Sequence, residues 1–286
     1  MNQKRKQFFV VTAVIAALAL IFAAWMIWGN VTVGVTHYSV VSSRLPASFH
    51  QYRILILSDL HNAEFGENNS QLIEIAEKEN PDMIALTGDL IDSSRTDITI
   101  AEKLVKELVK IAPCYYVTGN HEAWIGEQYQ ELERLLAEQG VTVLHDTSVQ
   151  LTKGEGSIQL AGLDDPDFTD RDASIQASML ETKLNRMNLT DAYCILLSHR
   201  PEAFEVYAGE NIDLVLSGHA HGGQFRLPFI GGMVAPNQGL FPKYDAGVYA
   251  QGNTTMVVSR GIGNSIIPIR FNNRPEIVSV ELLYQG

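Results

Sequence analysis

Cysteine is nearly absent from this chain of 286 residues: Cys114 and Cys194 are the only two. That count excludes a disulfide framework, and without a CxxC pair neither a zinc ribbon nor thioredoxin-type chemistry is on offer. Both thiols sit in apolar runs, where a buried cysteine behaves as a small hydrophobe, so they say little about compartment. Positive charge is also scarce. Lys and Arg number 21 against 33 Asp and Glu, a net charge of -12, and three of the cations (Lys4, Arg5, Lys6) stand at the N-terminus, far ahead of the first acid, Asp59. The remainder carries 18 cations against 33 anions. A body that acidic offers no footprint for a phosphate backbone, which excludes nucleic-acid binding by charge. Solenoid-period repeats are missing, as are the HExxH and HxHxDH clusters of other metal hydrolases. With 46% apolar and 19% charged residues the chain is neither disordered nor of low complexity, and it is long enough to bury a core.

What the sequence does have is one long uncharged run, Phe8 to Trp28, whose only polar side chain is Thr12. About twenty apolar residues at about 1.5 Å each match a bilayer core. Trp25 and Trp28 fall where an aromatic belt would lie. The basic residues before the run put the N-terminus (1–7) in the cytoplasm and the body (29–286) outside, which predicts a single-pass protein of the cell membrane with an anchor over 8–28. Bulky Trp25-Met26-Ile27-Trp28 makes a poor signal-cleavage site, so the anchor is expected to be retained.

Beyond the anchor a strand is predicted over Val31–Val41, followed by a strand-then-helix rhythm. Short apolar runs occur at Ile54–Leu57, Met83–Leu86, Tyr115–Val117, Ile195–Leu197 and Leu214–Leu216. Helical patterns lie near Ser70–Glu79, Ile98–Ile111, Glu127–Gln139 and Ser174–Met187. Asn80-Pro81 closes the first and Gly140 the third. Two or three short strands are expected over Val141–Leu163, and Gly- and Pro-rich loops and strands after residue 222. The pattern describes one α/β or α+β layered domain with mixed sheets.

Each of the five apolar runs leads into the same kind of residue: Asp59 and His61, Asp89, Asn120 with His121 and Glu122, His199, and His219 with His221. Strand carboxyl ends are where sites assemble in such sheets, and Gly88, Gly119 and Gly218 allow the sharp turns needed there. Single motifs of this kind are weak, since Asp after a strand is ordinarily a turn and a lone His is ordinarily packed. Here five of the eight histidines occupy these positions; His37, His50 and His145 do not and receive no role. Carboxylate, imidazole and amide oxygen without thiolate suit Mn, Fe, Zn, Co or Ni. There are too many donors for one tetrahedral ion; they fit two divalent ions sharing a bridging carboxylate, an arrangement that clamps the oxygens of a phosphoryl displacement.

Together these residues resemble the calcineurin-like metallophosphoesterase superfamily, whose motifs DxH, GD, GNH(E), H and GHxH occur here in that order. VTHYSVVSSRLP, SDLHNAEFG, GHAHGGQFRLP and SRGIGNSIIPIRFNNRPEI resemble the bacterial membrane-attached, YkuE-like branch. The resemblance spans about Arg53 to the C-terminus and implies a four-layer αββα sandwich of two mixed sheets flanked by helices. It implies one metal on Asp59, His61, Asp89 and His221 and a second on Asp89, Asn120, His199 and His219, with Asp89 bridging. A hydroxide generated by the metals would attack phosphorus in line, and His121 would serve the leaving oxygen as general acid or charge stabiliser. The alternative for His121 is a structural pairing with Glu122. Gly222 and Gly223 are expected to let the chain pass close to the metals, or simply to form a turn.

The function expected is a membrane-anchored metal-dependent phosphoesterase cleaving a phosphodiester or pyrophosphate. Monoester hydrolysis of a soluble substrate remains the alternative, and a non-catalytic metal-binding receptor or scaffold ranks lower. The resemblance brings lipid-linked pyrophosphates into view. The uncharged apolar stretch from Pro228, ending near Lys243 and Tyr244, either rests on the bilayer beside the site or packs as a hairpin or cap. No protein partner is implied.

Overall fold

The computed structural model describes residues 3–286. It opens with α1 (Gln3–Val31), a helix of 29 residues with no buried side chain. At about 1.5 Å per residue α1 is about 44 Å long, and it extends past both ends of the uncharged run.

The body follows in chain order: β1 (Gly34–Ser42), β2 (Tyr52–Leu57), α2 (Ser70–Glu79), β3 (Met83–Thr87), α3 (Ile98–Ile111), β4 (Cys114–Val117), the short α4 (Asn120–Trp124), α5 (Gln128–Glu138) and β5 (Thr142–Val143). Then come β6 (Thr147–Lys153), β7 (Gly156–Gly162), α6 (Ala173–Arg186), β8 (Cys194–Leu197), α7 (Phe204–Tyr207) and β9 (Leu214–Ser217). Four two-residue strands follow, β10 (Arg226–Leu227), β11 (Gly231–Gly232), β12 (Val234–Ala235) and β13 (Gly239–Leu240), and the chain ends with β14 (Gly247–Gln251), β15 (Thr254–Val258) and β16 (Glu276–Tyr284). The expected helices are found within about one residue of their anticipated ends, the usual scatter for helix termini.

Two six-stranded sheets form the centre, in the orders β1-β16-β2-β3-β4-β5 and β14-β15-β9-β8-β7-β6. Strands β2 to β5 are parallel, as are β7, β8, β9 and β15, while β16 against β2, β6 against β7 and β14 against β15 are antiparallel. The expected mixed αββα sandwich is the fold.

Side-chain alternation explains the layers. On β2, Ile54 and Ile56 face the second sheet, meeting Leu160, Ile195, Leu197, Leu214, Leu216 and Val257 in an apolar layer. Leu55 and Leu57 of the same strand face outward onto Leu72 and Ala76 of α2 and Leu104, Val105 and Leu108 of α3. On the far side Cys194, Leu196 and Val215 receive Leu180 and Leu184 of α6 and Phe204 and Tyr207 of α7. The central strands are covered on both faces, which is why they read as continuous apolar runs. Because β2, β3 and β4 are neighbours and run parallel, their carboxyl ends lie along one edge, and those of β8 and β9 do the same in the second sheet.

Candidate metal centre

Those two edges carry the site. The turns after β2 and β3 are stitched by backbone bonds, Asp59 N–H to the Gly88 carbonyl and His61 N–H to the Asp89 carbonyl, both 3.0 Å. The two sheets are tied where the His219 N–H donates to Asp59 Oδ1, 3.0 Å. Asp59, His61, Asp89, His219 and His221 all have positive φ, between 47° and 66°. Each such left-handed non-glycine residue costs about 1–3 kcal/mol and persists where the surroundings over-determine it, which is typical of functional sites. Gly119 is required here for room: a Cβ would collide with the Asp89 carboxylate.

All seven side chains singled out as metal donors in the sequence are buried, and six of them, all but Asn120, fall into two overlapping clusters. Asp59, His61, Asp89 and His221 form one group that offers ligand atoms within 4.8 Å of each other, and Asp89, His199 and His219 form a second. Asp89 belongs to both. Its Oδ1 accepts the His121 N–H at 2.9 Å, while Oδ2 lies 3.5 Å from His61 Nε2 and 3.3 Å from His199 Nε2. The Nε2 atoms of His61 and His221 face each other at 3.1 Å, and His199 Nε2 faces His219 Nδ1 at 3.1 Å. Asn120 Oδ1 is buried without a hydrogen-bond partner, and Asn120 lines the same cavity as Asp89, His219 and His221.

The electrostatics fit a divalent cation. Burial holds the imidazoles of His61 and His219 well below their ordinary value and that of His221 down at about 4, so these rings are neutral and offer lone pairs. Thr87 supplies a carbonyl, which can only accept, 2.7 Å from His199 Nδ1; the proton therefore sits on Nδ1 and Nε2 turns inward. Against its burial, the Asp89 charge pushes His199 up to about 10, and against its own burial Asp89 is held well below the carboxylate range by that partner. The cluster demands positive charge beside Asp89, which a bound cation supplies. Crowded lone pairs, buried carboxylates and an orphaned amide oxygen make up a donor set that suits a divalent metal.

His121 borders the cluster. The Ser93 backbone N–H donates to its Nδ1 at 3.0 Å, so a neutral ring carries its proton on Nε2, 3.0 Å from Ser265 Oγ. Glu122 is not its partner. The buried Glu122 carboxylate instead accepts three backbone N–H groups, from Asp89 (2.9 Å), Leu90 (2.8 Å) and Gly119 (2.8 Å), and so braces both turns. Burial and the Asp89 charge push this carboxyl up to about 8, and the backbone donors work in the opposite direction.

Sequence reasoning missed the charged groups around the cluster. Buried Arg200 makes a bidentate pair with Asp165 (2.6 and 2.7 Å), and its Nη1 lies 3.2 Å from His219 Nε2. Buried Arg270 donates to the carbonyls of Arg260 and Gly263 at 2.6 Å and stands 3.3 Å from His221 Nδ1. The only local signal for Arg200 is its place directly after His199; Arg270 comes from a distant loop with no local signal.

A cavity of about 410 Å³ opens on Asp89, Asn120, His121, His219 and His221. Its outer wall is Trp124, Val234, Ala235, Pro236, Ile266 and Ile267, with Arg171 and Arg200 among the polar lining. The stretch from Pro228 to Tyr244 forms two short hairpins, of which Val234 to Asn237 line the cavity while Phe229, Ile230, Leu240 and Phe241 stay exposed. Gly222 and Gly223 make their close approach to this hairpin: a Cβ on Gly223 would overlap the Gly232 backbone.

Residues 52–223 match the family model for calcineurin-like phosphoesterases. Among curated relatives, the uncharacterized metallophosphoesterase YkuE of Bacillus subtilis is 32% identical over 251 residues, covering 85% of this chain and 82% of its own. Phosphodiesterase YaeI of Escherichia coli is 32% identical over 237 residues, 81% of this chain and 82% of YaeI. A zebrafish transmembrane protein with a metallophosphoesterase domain is 29% identical over 290 residues, 96% of this chain and 61% of that protein.

Proposed function

This chain belongs to the calcineurin-like phosphoesterases, and from that membership as a metal-dependent phosphoric ester hydrolase we propose that it is a membrane-anchored enzyme with two divalent ions, cleaving a phosphodiester or pyrophosphate bond. The observation that carries this reading is the position of Asp89 in both donor groups. Asp59, His61 and His221 would hold one ion with Asp89, and Asn120, His199 and His219 the other. Two such ions supply charge neutralisation at phosphorus and lower the pKa of water toward neutrality.

The chain's own residues do the rest. Asp89 is fixed in place by the His121 N–H on its Oδ1, which leaves Oδ2 toward His61 and His199. His121 presents Nε2 at the cavity, where its proton can meet the charge that develops on the leaving oxygen. Arg200, fixed by Asp165, adds a stationary positive charge on the cavity lining. The apolar outer wall leaves space for a second substituent on phosphorus, which favours a diester or pyrophosphate, and a lipid-linked one, over a small monoester.

The apolar run of α1, with no buried residue and with Lys4, Arg5 and Lys6 in the helix's first turns, supports a single-pass anchor with the site on the extracytoplasmic side. Domain limits of 1–7, 8–28 and 29–286 are part of the same proposal.

The test uses the full chain in detergent, stripped of metal and reloaded with Mn²⁺, assayed on bis-p-nitrophenyl and p-nitrophenyl phosphate. We expect two ions per chain, faster diester turnover, and loss of about three orders of magnitude in Asp89→Asn, equivalent to about 4 kcal/mol of barrier. One ion per chain would overturn the dinuclear centre. Exclusive monoester turnover would overturn the substrate class, and metal binding without turnover of either ester would point to the receptor reading.

A further inference from the structure

We propose that Phe229 and Ile230 at the tip of the β10–β11 hairpin, with Leu240 and Phe241 at the end of β13 and with Ile266, form an apolar rim beside the cavity that inserts into the near interface of the bilayer crossed by α1, so that the cavity opens onto lipid headgroups. The inference rests on the anchor and phosphoesterase readings above and names the membrane surface as the partner of that same site.

Three observations point to the bilayer as the partner of this rim. The first is exposure. Phe229 is fully exposed, Ile266 is 88% exposed and Leu240 71%. Residues 227–242 contain no charged side chain. Large apolar side chains left in water this close together mark an interaction surface.

The second is continuity with the anchor. The Asn30 side chain, at the end of α1, bonds both the N–H and the carbonyl of Arg270, at 2.8 and 2.9 Å. Next to Arg270, the Phe271 ring packs against Trp25 (5.7 Å) and Phe22 (6.4 Å) of α1. Trp25 and Trp28 are the aromatic residues expected at headgroup level, and the Arg274 guanidinium covers the Trp28 ring at 4.6 Å. Phe271 therefore stands at the depth of the interface. The rim lies beside it: Phe225 bridges Phe271, the Arg226 N–H donates to the Phe271 carbonyl, and β10 leads directly into the Phe229-Ile230 tip.

The third is the route to the metal donors. Ile266 belongs to the rim and also lines the cavity, as do Val234 of β12 and Pro236 in the turn between β12 and β13. Hairpin and donors are locked together, because Gly223, two residues after His221, lies against Gly232 of β11. A phosphate carried by a lipid reaches Asp89 and His121 from the rim while its chains stay in the bilayer.

Single cysteines at Ile230 and Leu240 in the full chain would be labelled with the fluorophore NBD; native Cys114 and Cys194 are buried and escape labelling. The labelled protein goes into nanodiscs of phosphatidylcholine and phosphatidylglycerol, with or without a doxyl group on the acyl chain. Ala137→Cys, on the exposed face of α5, is the control. At 230 and 240 we expect blue-shifted emission, about twofold quenching by doxyl lipid, and protection from aqueous iodide, with none of these at 137. Iodide quenching at 230 and 240 equal to that at 137 would overturn the proposal. Protection from iodide without lipid quenching would overturn it too, in favour of a second copy of the chain. Neither readout depends on turnover, so a failure here is distinct from a failure of the phosphoesterase reading.

Discussion

The Glu202 carboxylate lies 3.8 Å from Nε2 of His219, the ring nitrogen turned away from the cluster, and neither of its oxygens has a hydrogen-bond partner. Arg200 Nη1 stands 3.2 Å from the same Nε2 and 3.6 Å from the carboxylate; a metal bound at Nδ1 would move the ring proton to Nε2, where Glu202, after a small rotation, and not Arg200 can accept it. Carboxylates placed in this way typically strengthen metal binding about 10–100-fold. Glu202→Gln should weaken metal retention by that factor in a chelator titration while keeping turnover at saturating Mn²⁺. Unchanged retention would remove Glu202 from the site.

His121 lines the cavity and belongs to neither donor group; its backbone N–H, which substitution at the side chain leaves in place, is what bonds Asp89. His121→Ala should lower kcat by about 10²–10⁴-fold, the usual contribution of a positioned proton donor. Metal content, measured by elemental analysis, should stay at the wild-type value. Loss of metal alongside loss of rate would make His121 a support for the cluster and not a participant in the reaction.

Glu122 satisfies three buried backbone N–H groups at once. An amide has one acceptor oxygen and turns donors toward donors, so Glu122→Gln leaves at least one N–H unpaired, at about 1–3 kcal/mol each. We expect urea unfolding to show a loss of about 2–4 kcal/mol, with exposed Glu127→Gln near zero as the comparison. Equal stability of the two variants would contradict this account.

His145 lies between Asp164 (2.8 Å) and Glu133 (3.0 Å), and its hydrogen bond to Asp164, outweighing partial burial, raises it from 6.5 to about 9. A raised folded-state value means the stabilisation is fully present below about pH 6.5 and disappears as pH rises through about 9. The melting temperature of His145→Gln should therefore fall short of wild type at acid pH and converge with it at alkaline pH. A gap that widens with pH would have the wrong sign.

Much of this was legible in the sequence, for a physical reason. Strands buried on both faces show as short apolar runs, and the residue that follows each run is the one delivered to the site. Asp59, Asp89, Asn120, His199 and His219 were visible in that way. Pairing was not. Periodicity assigns Glu276–Leu283 to a strand but carries nothing to place it between β1 and β2. Arg200, Glu202 and Arg270 gain their meaning from neighbours distant in sequence, and the tight Gly223–Gly232 approach is equally a product of tertiary structure. His121 was seen, but its hydrogen-bond partners were not, because Ser93 and Ser265 reach it from other loops, and Glu122, the alternative partner, turns to the backbone.

The slot occupied by β16 has a consequence for biogenesis. β1 follows α1 and has one strand neighbour, β16, in register from Gly34 with Glu276 to Ser42 with Tyr284. The first strand of the body therefore waits, unpaired, until residues more than two hundred positions later have been synthesised. Such distant pairing delays folding. The sheet that carries Asp59 and Asp89 is completed only after nearly the whole polypeptide has been made, so hydrolytic competence is gained late. A chain truncated before Glu276 would keep α1 whole and leave its first strand still waiting.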